Sequence, residues 1–595
     1  MKYQNIYSLF HERAKQYCGR DIFYVRGQQG WIGISWDNFY QQVHDFAAAL
    51  LAMGLARGKS VCILMSNFPE WPTSDIGTIA AGGISVGLYP TSSAEQCKYI
   101  INHCDAEFVV VDTKLQLDKI MQIRAQLPNI KAVIACDAAI ARDYDGVISY
   151  QDFLQLGHKH REKLGSSLRA CAESADSDET AIMVYTSGTT GLPKGACLSH
   201  RYVLNSVESL LQVIPLGDLD VSFSYLPYCH VAERISGFYY RLYAGAPAYF
   251  VEDLTKLWDY MLEVKPTIFG SLPRFYEKIH ARIMADVEKA SATEQQQFQR
   301  ALDIGRQRQR LRQAGEPIPI HLQTCYEQIA LPIENKVKSY FGGRIRITTS
   351  GGAPLPLEIA EFFDAFGITI LQAYGLTENV CAAFNRPDNY RFATVGPPMP
   401  GCKIRIAPDG EILLQSEMMF SGYYKEPVKT AEVFQDGWLL TGDLGEITTD
   451  GFLKITGRKK ELIVTSTGKK VAPALLENLL REHPLISQAM AYGDSKSYLV
   501  ALITLNQIEA EEYARNKGID YHDFADLTSK AEILTLVRKI IDGVNARVSS
   551  TEAIKKFVIL DHDFSVESDE ITPTMKIKRN IVAERYRELL EQLYK

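Results

Sequence analysis

The stretch YTSGTTGLPKG, from Tyr185 to Gly195, gathers three glycines, the hydroxyls of Thr186, Ser187, Thr189 and Thr190, and the ammonium of Lys194 into eleven residues. Glycines such as Gly188 and Gly191 let backbone N–H groups approach an anion closely. The hydroxyls add donors and the lysine adds charge, so the composition suits a polyphosphate. It is not a P-loop, which requires G-x-x-x-x-G-K-[ST]. Counted from Gly188, the sixth position is Pro193, and Lys194 precedes Gly195.

Further stretches bring chemically capable side chains in a fixed order: SGGAPLP (350–356), QAYGLTEN (372–379), TGDLG (441–445), GRKKELIVTSTGKKVAP (457–473) and PTMKIKRN (573–580). Tyr374 offers an aromatic face for a base. The Thr377 hydroxyl can bond a phosphate, and Glu378 is the hard carboxylate that Mg²⁺ prefers. One carboxylate, Asp443, can accept both hydroxyls of a ribose, and Arg458 can reach a ribose or a phosphate. His230, in SYLPYCHVAERISG (224–237), taken alone reads as a structural histidine. Lys576 lies in SVESDEITPTMKIKRN, which by charge alone reads as a solvated loop.

The elements that must position these residues are legible as patterns. SVCILMS (60–66), AEFVVVDT (106–113) and AIMVY (181–185) are too apolar for half-exposed strands and read as buried, parallel ones. Helical patterns lie between them, and HRYVLNSVESLLQVI, spaced at Val203, Val207, Leu210 and Leu211, follows the phosphate loop as a helix. Residues 281–340 are polar and read as one or two long surface helices, with Arg306, Arg308, Arg310 and Arg312 on a solvated face. From about 390 to 459 the texture turns to short, Gly- and Pro-punctuated strands, a small antiparallel unit. A new α/β segment follows, with a helix at PALLENLLREH, a strand at YLVALITL and a closing helix from about Asn580. The expected fold class is α/β: a large multi-layered N-terminal α/β domain (1–459) with a small antiparallel β subdomain, plus a small mobile α+β C-terminal domain (460–595).

Together the motifs resemble the adenylate-forming superfamily, which includes acyl-CoA synthetases, luciferases and peptide-synthetase adenylation domains. Within it the chain is most similar to long-chain fatty acyl-CoA synthetases, through its polar helical insertion, GSLPRFYEKI (270–279), the H-x-x-E-R form after His230 and the Thr-Pro-Thr-x-Lys form near the C-terminus. The resemblance implies two half-reactions. A fatty acid attacks ATP to give acyl-AMP and pyrophosphate, and the thiol of coenzyme A then displaces AMP. It implies Lys576, Glu378, Thr186 and His230 as catalytic residues, with Glu378 holding Mg²⁺. Nucleotide and thiol would be bound by Thr186, Ser187, Gly188, Thr189, Thr190, Gly191, Lys194, Gly351, Gly352, Ala353, Gln372, Tyr374, Gly375, Thr377, Asp443, Arg458 and Gly468. Lys460 matches the hinge about which the small domain turns. Where the family commonly has a Gly-Gly pair, Thr467 precedes Gly468, which leaves the shape of the thiol tunnel open. A fatty acyl-AMP ligase serving a carrier protein and a non-catalytic nucleotide-binding relative are the alternatives.

Composition bounds the setting. A net charge of −7 argues against general nucleic-acid binding. The eleven cysteines form no C-x-x-C pair, no Cys/His cluster has zinc spacing, and no stretch approaches the roughly 18 apolar residues of a membrane span. The expectation is a cytoplasmic protein, with at most weak peripheral contact to a membrane through the Arg-rich segment.

Overall fold

Burial of whole strands organises the N-terminal part. The computed structural model describes residues 2–186, 192–466, 469–550, 552–572 and 576–595. Every residue of Ser60–Leu64 and of Ile84–Leu88 is buried. Both faces of their sheet are covered, so these strands tolerate no polar alternation. The sheet has eight strands, in the order Gly422–Tyr423, Lys194–Ser199, Thr180–Thr186, Ile84–Leu88, Ser60–Leu64, Ala106–Val111, Ala132–Ala135 and Val147–Ser149. From Thr180–Thr186 to Val147–Ser149 every pairing is parallel.

One expectation changes here. Tyr185–Gly195 does not pass directly from strand to helix. Lys194–Ser199 turns back antiparallel beside Thr180–Thr186, with Thr186 opposite Lys194, and the helix His200–Val213 starts only after it. The stretch KGACLS alternates buried and half-buried residues too weakly to announce a strand. Its pairing with a neighbour of stronger pattern decides the matter.

A second sheet runs Ile268–Ser271, Ile347–Ser350, Ile370–Leu376 and Asn379–Phe384, the first three parallel and the last antiparallel. Its helices include Pro273–Glu288 and Ala292–Ala314. The expected pair of long helices is present, but the second is no free surface helix. It buries Phe298, Ala301, Leu302 and Ile304, and Gly305 lets it close on Ala365, whose carbonyl would lie 2.2 Å from an added Cβ.

Nor do the four arginines share one solvated face. Residues two apart on a helix point about 200° away from each other. Arg308 stacks on Tyr326 at 3.4 Å and Arg312 pairs with the buried Asp364 at 3.2 Å. Arg306 and Arg310 instead line a groove of about 720 Å³ with Glu361, Arg391 and Phe392. Among the described residues no helix is long and apolar enough to cross a membrane.

The antiparallel unit has five strands, with Cys402–Ile406, Glu411–Ser416, Trp438–Ile447 and Leu453–Arg458 as its main members. It is not wholly separate, because Gly422–Tyr423 leaves it to pair with Ala196 and Cys197 of the large sheet. The C-terminal part has its own core around Leu476, Leu480, Ile503, Val537 and Ile541. In its three-stranded sheet, Ile486–Tyr492 and Ile554–Ile559 flank the expected Leu499–Leu505.

Candidate active site

The motif residues lie where strands end, and the backbone explains why. Strand Ile370–Leu376 delivers Tyr374 and then turns sharply through Thr377 and Glu378 into Asn379–Phe384. Gly375 is obligatory in this turn, since an added Cβ would lie 2.0 Å from the Val380 carbonyl oxygen. Tyr202 pins the turn from below: its hydroxyl donates to the Thr377 carbonyl at 2.8 Å and accepts from the Val380 N–H at 2.9 Å. The loop Gly351–Ala353 follows the neighbouring strand Ile347–Ser350. Buried Gln372 braces it, its amide oxygen accepting from the Leu355 N–H at 3.2 Å.

Asp443 and Arg458 sit opposite each other on paired strands, with Arg458 Nε 3.5 Å from Asp443 Oδ1. The other carboxylate oxygen of Asp443 accepts from the Tyr374 hydroxyl at 2.8 Å. Burial, reinforced by the Asp443 charge, holds the Tyr374 hydroxyl protonated far above its usual range. The aromatic face and the ribose-type carboxylate, 69 positions apart, are therefore joined by one hydrogen bond.

A residue absent from the expected set links the phosphate hairpin to this turn. Tyr423 donates its hydroxyl to Glu378 Oε1, and the Lys194 ammonium lies over its ring at 4.1 Å. Burial lowers the Lys194 pKa; Glu378 opposes that shift, while Lys429 and Lys460 add to it. No local pattern singles out Tyr423, which gains its role from pairing with Ala196 across the sheet. Glu411 is another such residue. It accepts from the Gly442 N–H at 2.9 Å and pairs with Lys459 at 2.8 Å, fixing the turn before Asp443.

His230 caps the short helix Val231–Glu233, its Nδ1 accepting from the Ala232 N–H at 3.1 Å. That bond assigns the ring proton to Nε2. Burial, assisted by the charge of Lys576, lowers its pKa to about 4, so the imidazole is neutral at pH 7.

Lys576, on the C-terminal part of the chain, lies within electrostatic reach of Arg458, Asp443, Glu461 and Glu378. It keeps contact with solvent, yet its surroundings lower its pKa: burial first, then Arg458, against the raising charges of Asp443, Glu461 and Glu378. Lys576 thus shares one electrostatic neighbourhood with Asp443, Arg458, Glu378 and His230, although three different segments supply them. Lys460 lies in the 3₁₀ turn Lys459–Glu461, and its charge is felt by Lys194. Ser187, Gly188, Thr189, Thr190, Gly191 and Gly468 lie outside the described residues.

Among the described residues no group of three His, Cys, Asp or Glu side chains could cage a metal. A single carboxylate such as Glu378 fits Mg²⁺, which commonly takes one or two carboxylates and fills its remaining positions with phosphate oxygens and water.

Comparison with known proteins identifies the family. A family model described as AMP-binding enzyme matches residues 10–424, and one described as AMP-binding enzyme C-terminal domain matches 460–595. Long-chain-fatty-acid–CoA ligase FadD15 of Mycobacterium bovis is 32% identical, covering 96% of this chain and 94% of its own. Long-chain-fatty-acid–CoA ligase ACSBG2 of Homo sapiens is 31% identical over 98% of this chain and 91% of its own. The crystal structure of the anthranilate CoA ligase AuaEII in complex with anthranoyl-AMP superposes with a TM-score of 0.73 at 20% identity, covering 99% of this chain and 98% of that one.

Proposed function

The chain belongs to the AMP-binding enzyme family, and from that premise we propose that it converts a long-chain fatty acid, ATP and coenzyme A into acyl-CoA, AMP and pyrophosphate. The observation that carries this is that Lys576, from the C-terminal part, lies within electrostatic reach of Asp443, Arg458, Glu378 and His230. The names of the relatives support the long-chain assignment.

In the first half-reaction a carboxylate oxygen of the fatty acid bonds to the α-phosphorus of ATP, and the bond to the bridging oxygen breaks, releasing pyrophosphate. Negative charge gathers on phosphorus as this happens. Lys576 and Arg458 offset it electrostatically in a partly desolvated cleft. Lys194 faces the phosphates from the other side. Tyr374 stacks the adenine, and Asp443, held by Tyr374 and Arg458, accepts the ribose hydroxyls. Glu378 would hold Mg²⁺, which supplies positive charge to the phosphates.

In the second half-reaction the thiol sulfur bonds to the acyl carbon and AMP leaves with its oxygen. AMP is a far better leaving group than oxide, so no enzyme nucleophile is needed. With Nδ1 committed to the Ala232 N–H, His230 serves as a donor through Nε2–H rather than as a base. Lys460 acts as the hinge that exchanges the groups lining the cleft between the two steps.

A panel of carboxylic acids of increasing length, read by pyrophosphate release, tests the substrate class. Each buried CH₂ should add about 0.8 kcal/mol, about fourfold in kcat/KM, until the acyl site is full. Equal turnover of acetate or benzoate would overturn the long-chain assignment. Thioester formation with a carrier protein but not with coenzyme A would overturn the acceptor.

A further inference from the structure

Among the fully buried carboxylates that the mechanism above leaves unused, one lies beside the segment that carries Lys576. Glu570 is 0% exposed, and both of its oxygens are occupied. Oε2 accepts from the Ser565 N–H at 3.3 Å and the Ser568 hydroxyl at 2.6 Å. Oε1 accepts from the Tyr586 hydroxyl at 2.6 Å and pairs with Arg585 at 2.9 Å. Burial by itself would raise the Glu570 pKa, but these donors together hold it below the usual carboxylate range.

What this carboxylate anchors is the segment that carries Lys576. The Glu570 carbonyl accepts from the Lys578 N–H at 2.8 Å, Ile571 bridges Ile577 antiparallel, and the Thr572 N–H donates to the Lys576 carbonyl at 2.8 Å. The Lys576 N–H in turn donates to the Thr572 hydroxyl at 3.1 Å. The main chain of Lys576 is therefore tied on both sides to the arm 570–572. Ile571 and Thr572 are buried at 2% and 1% exposure. Arg585 reinforces the approach to this arm by donating to the Ser568 carbonyl at 2.6 Å.

A buried charge with four partners is expensive to disturb and has one well-defined position. A long flexible Lys side chain needs such a fixed base if its ammonium is to meet a phosphate repeatedly at one point.

We propose that Glu570 is a positioning residue for acyl-adenylate formation, fixing the paired arms 570–572 and 576–578, the second of which carries Lys576. This rests on the role given to Lys576 above. Because Glu570 acts through Lys576 and not on the substrate, it matters to the first half-reaction and not to the second.

The experiment measures the two half-reactions separately in Lys576→Ala, Glu570→Gln, Tyr586→Phe and the double variant Glu570→Gln/Lys576→Ala. Gln keeps the shape but turns one acceptor into a donor facing other donors. Glu570→Gln should slow adenylation by about 10²-fold, the scale of a misplacement of roughly 1 Å. Thioester formation from pre-made acyl-adenylate should stay near the parental rate. The double variant should adenylate no more slowly than Lys576→Ala alone, since the two losses share one route. Tyr586→Phe, which removes one donor of four, should show the same selective loss in smaller degree and serves if Glu570→Gln does not fold. Equal slowing of both half-reactions, or a double variant well below Lys576→Ala, would mean a merely structural role and overturn the proposal. Parental adenylation in Glu570→Gln or Tyr586→Phe beside an impaired Lys576→Ala would overturn it while leaving the role of Lys576 standing. Parental adenylation in Lys576→Ala would overturn both.

Discussion

His230 should remain neutral through the physiological range, and acidification is the perturbation that tests this. An unperturbed histidine titrates near 6.5, whereas burial and Lys576 bring His230 to about 4. At pH 5.5 a group with a pKa of about 4 is about 3% protonated, against about 90% for an unshifted one. His230 should therefore contribute no inflection near 6.5 to the pH profile of single-turnover adenylation. The sign for stability follows from the same difference. As pH falls, the unfolded chain takes up the proton first, so the contribution of His230 is intact above about 6.5 and is lost progressively between about 6.5 and 4. From pH 7.5 to 5.5 the loss is about 1.3 kcal/mol for this residue. His200 and His280, which burial also brings to about 4, add similar amounts. The assays are urea unfolding and adenylation kinetics across this range for the parent and for His230→Gln. The variant should lose about a third of the acid sensitivity attributed to the three histidines. An inflection near pH 6.5 that His230→Gln abolishes would refute the placement of a neutral imidazole beside Lys576.

Asp443→Asn removes a charged acceptor and should weaken ATP binding about 10- to 100-fold, the worth of a hydrogen bond to a charged group. Calorimetry with ATP and 2′-deoxy-ATP checks it: the parent should discriminate between them and the variant should not. Lys460→Pro fixes φ in the 3₁₀ turn Lys459–Glu461, so adenylation should survive while thioester formation falls; equal loss in both half-reactions would argue against a hinge there. Arg308→Gln and Arg312→Gln should each cost about 1 kcal/mol or more of stability, by loss of a stacked cation and of a partner for buried Asp364. Arg306→Gln and Arg310→Gln should leave thermal unfolding nearly unchanged, and four equal effects would contradict the division of the cluster.

The parts of the site that travel as contiguous motifs were legible residue by residue. Glycine beside hydroxyls and Lys194 announces an anion through local composition, whereas the base and phosphate roles of Tyr374–Glu378 follow from the resemblance to a family motif. The strand Lys194–Ser199 was not legible, since its identity depends on the neighbour it pairs with. Tyr423, Tyr202 and Glu411 were missed for the same reason: each acts through its side chain on a residue distant in sequence, Tyr423 and Glu411 from strands and Tyr202 from a helix. The arginine cluster misled because four like charges in seven residues read as one patch, whereas a helix sends alternate residues to opposite sides.

By itself the sequence determined the α/β class, through uninterrupted apolar strands alternating with helical patterns, and the order of the phosphate, base, ribose and Lys576 motifs along the chain. The class depends on local composition and period, which a chain carries before it folds; the Lys576 motif, a solvated loop by charge alone, is legible only through the resemblance to a family. Tertiary structure alone decided that Tyr374 bonds Asp443, that Lys194 rests on Tyr423, that His230 is neutral, and that Lys576 comes within electrostatic reach of Asp443 and Arg458. Those facts are distances and degrees of burial between segments far apart in sequence. They arise only when packing brings charges together in a medium less polar than water, where a few ångströms set the strength of each interaction.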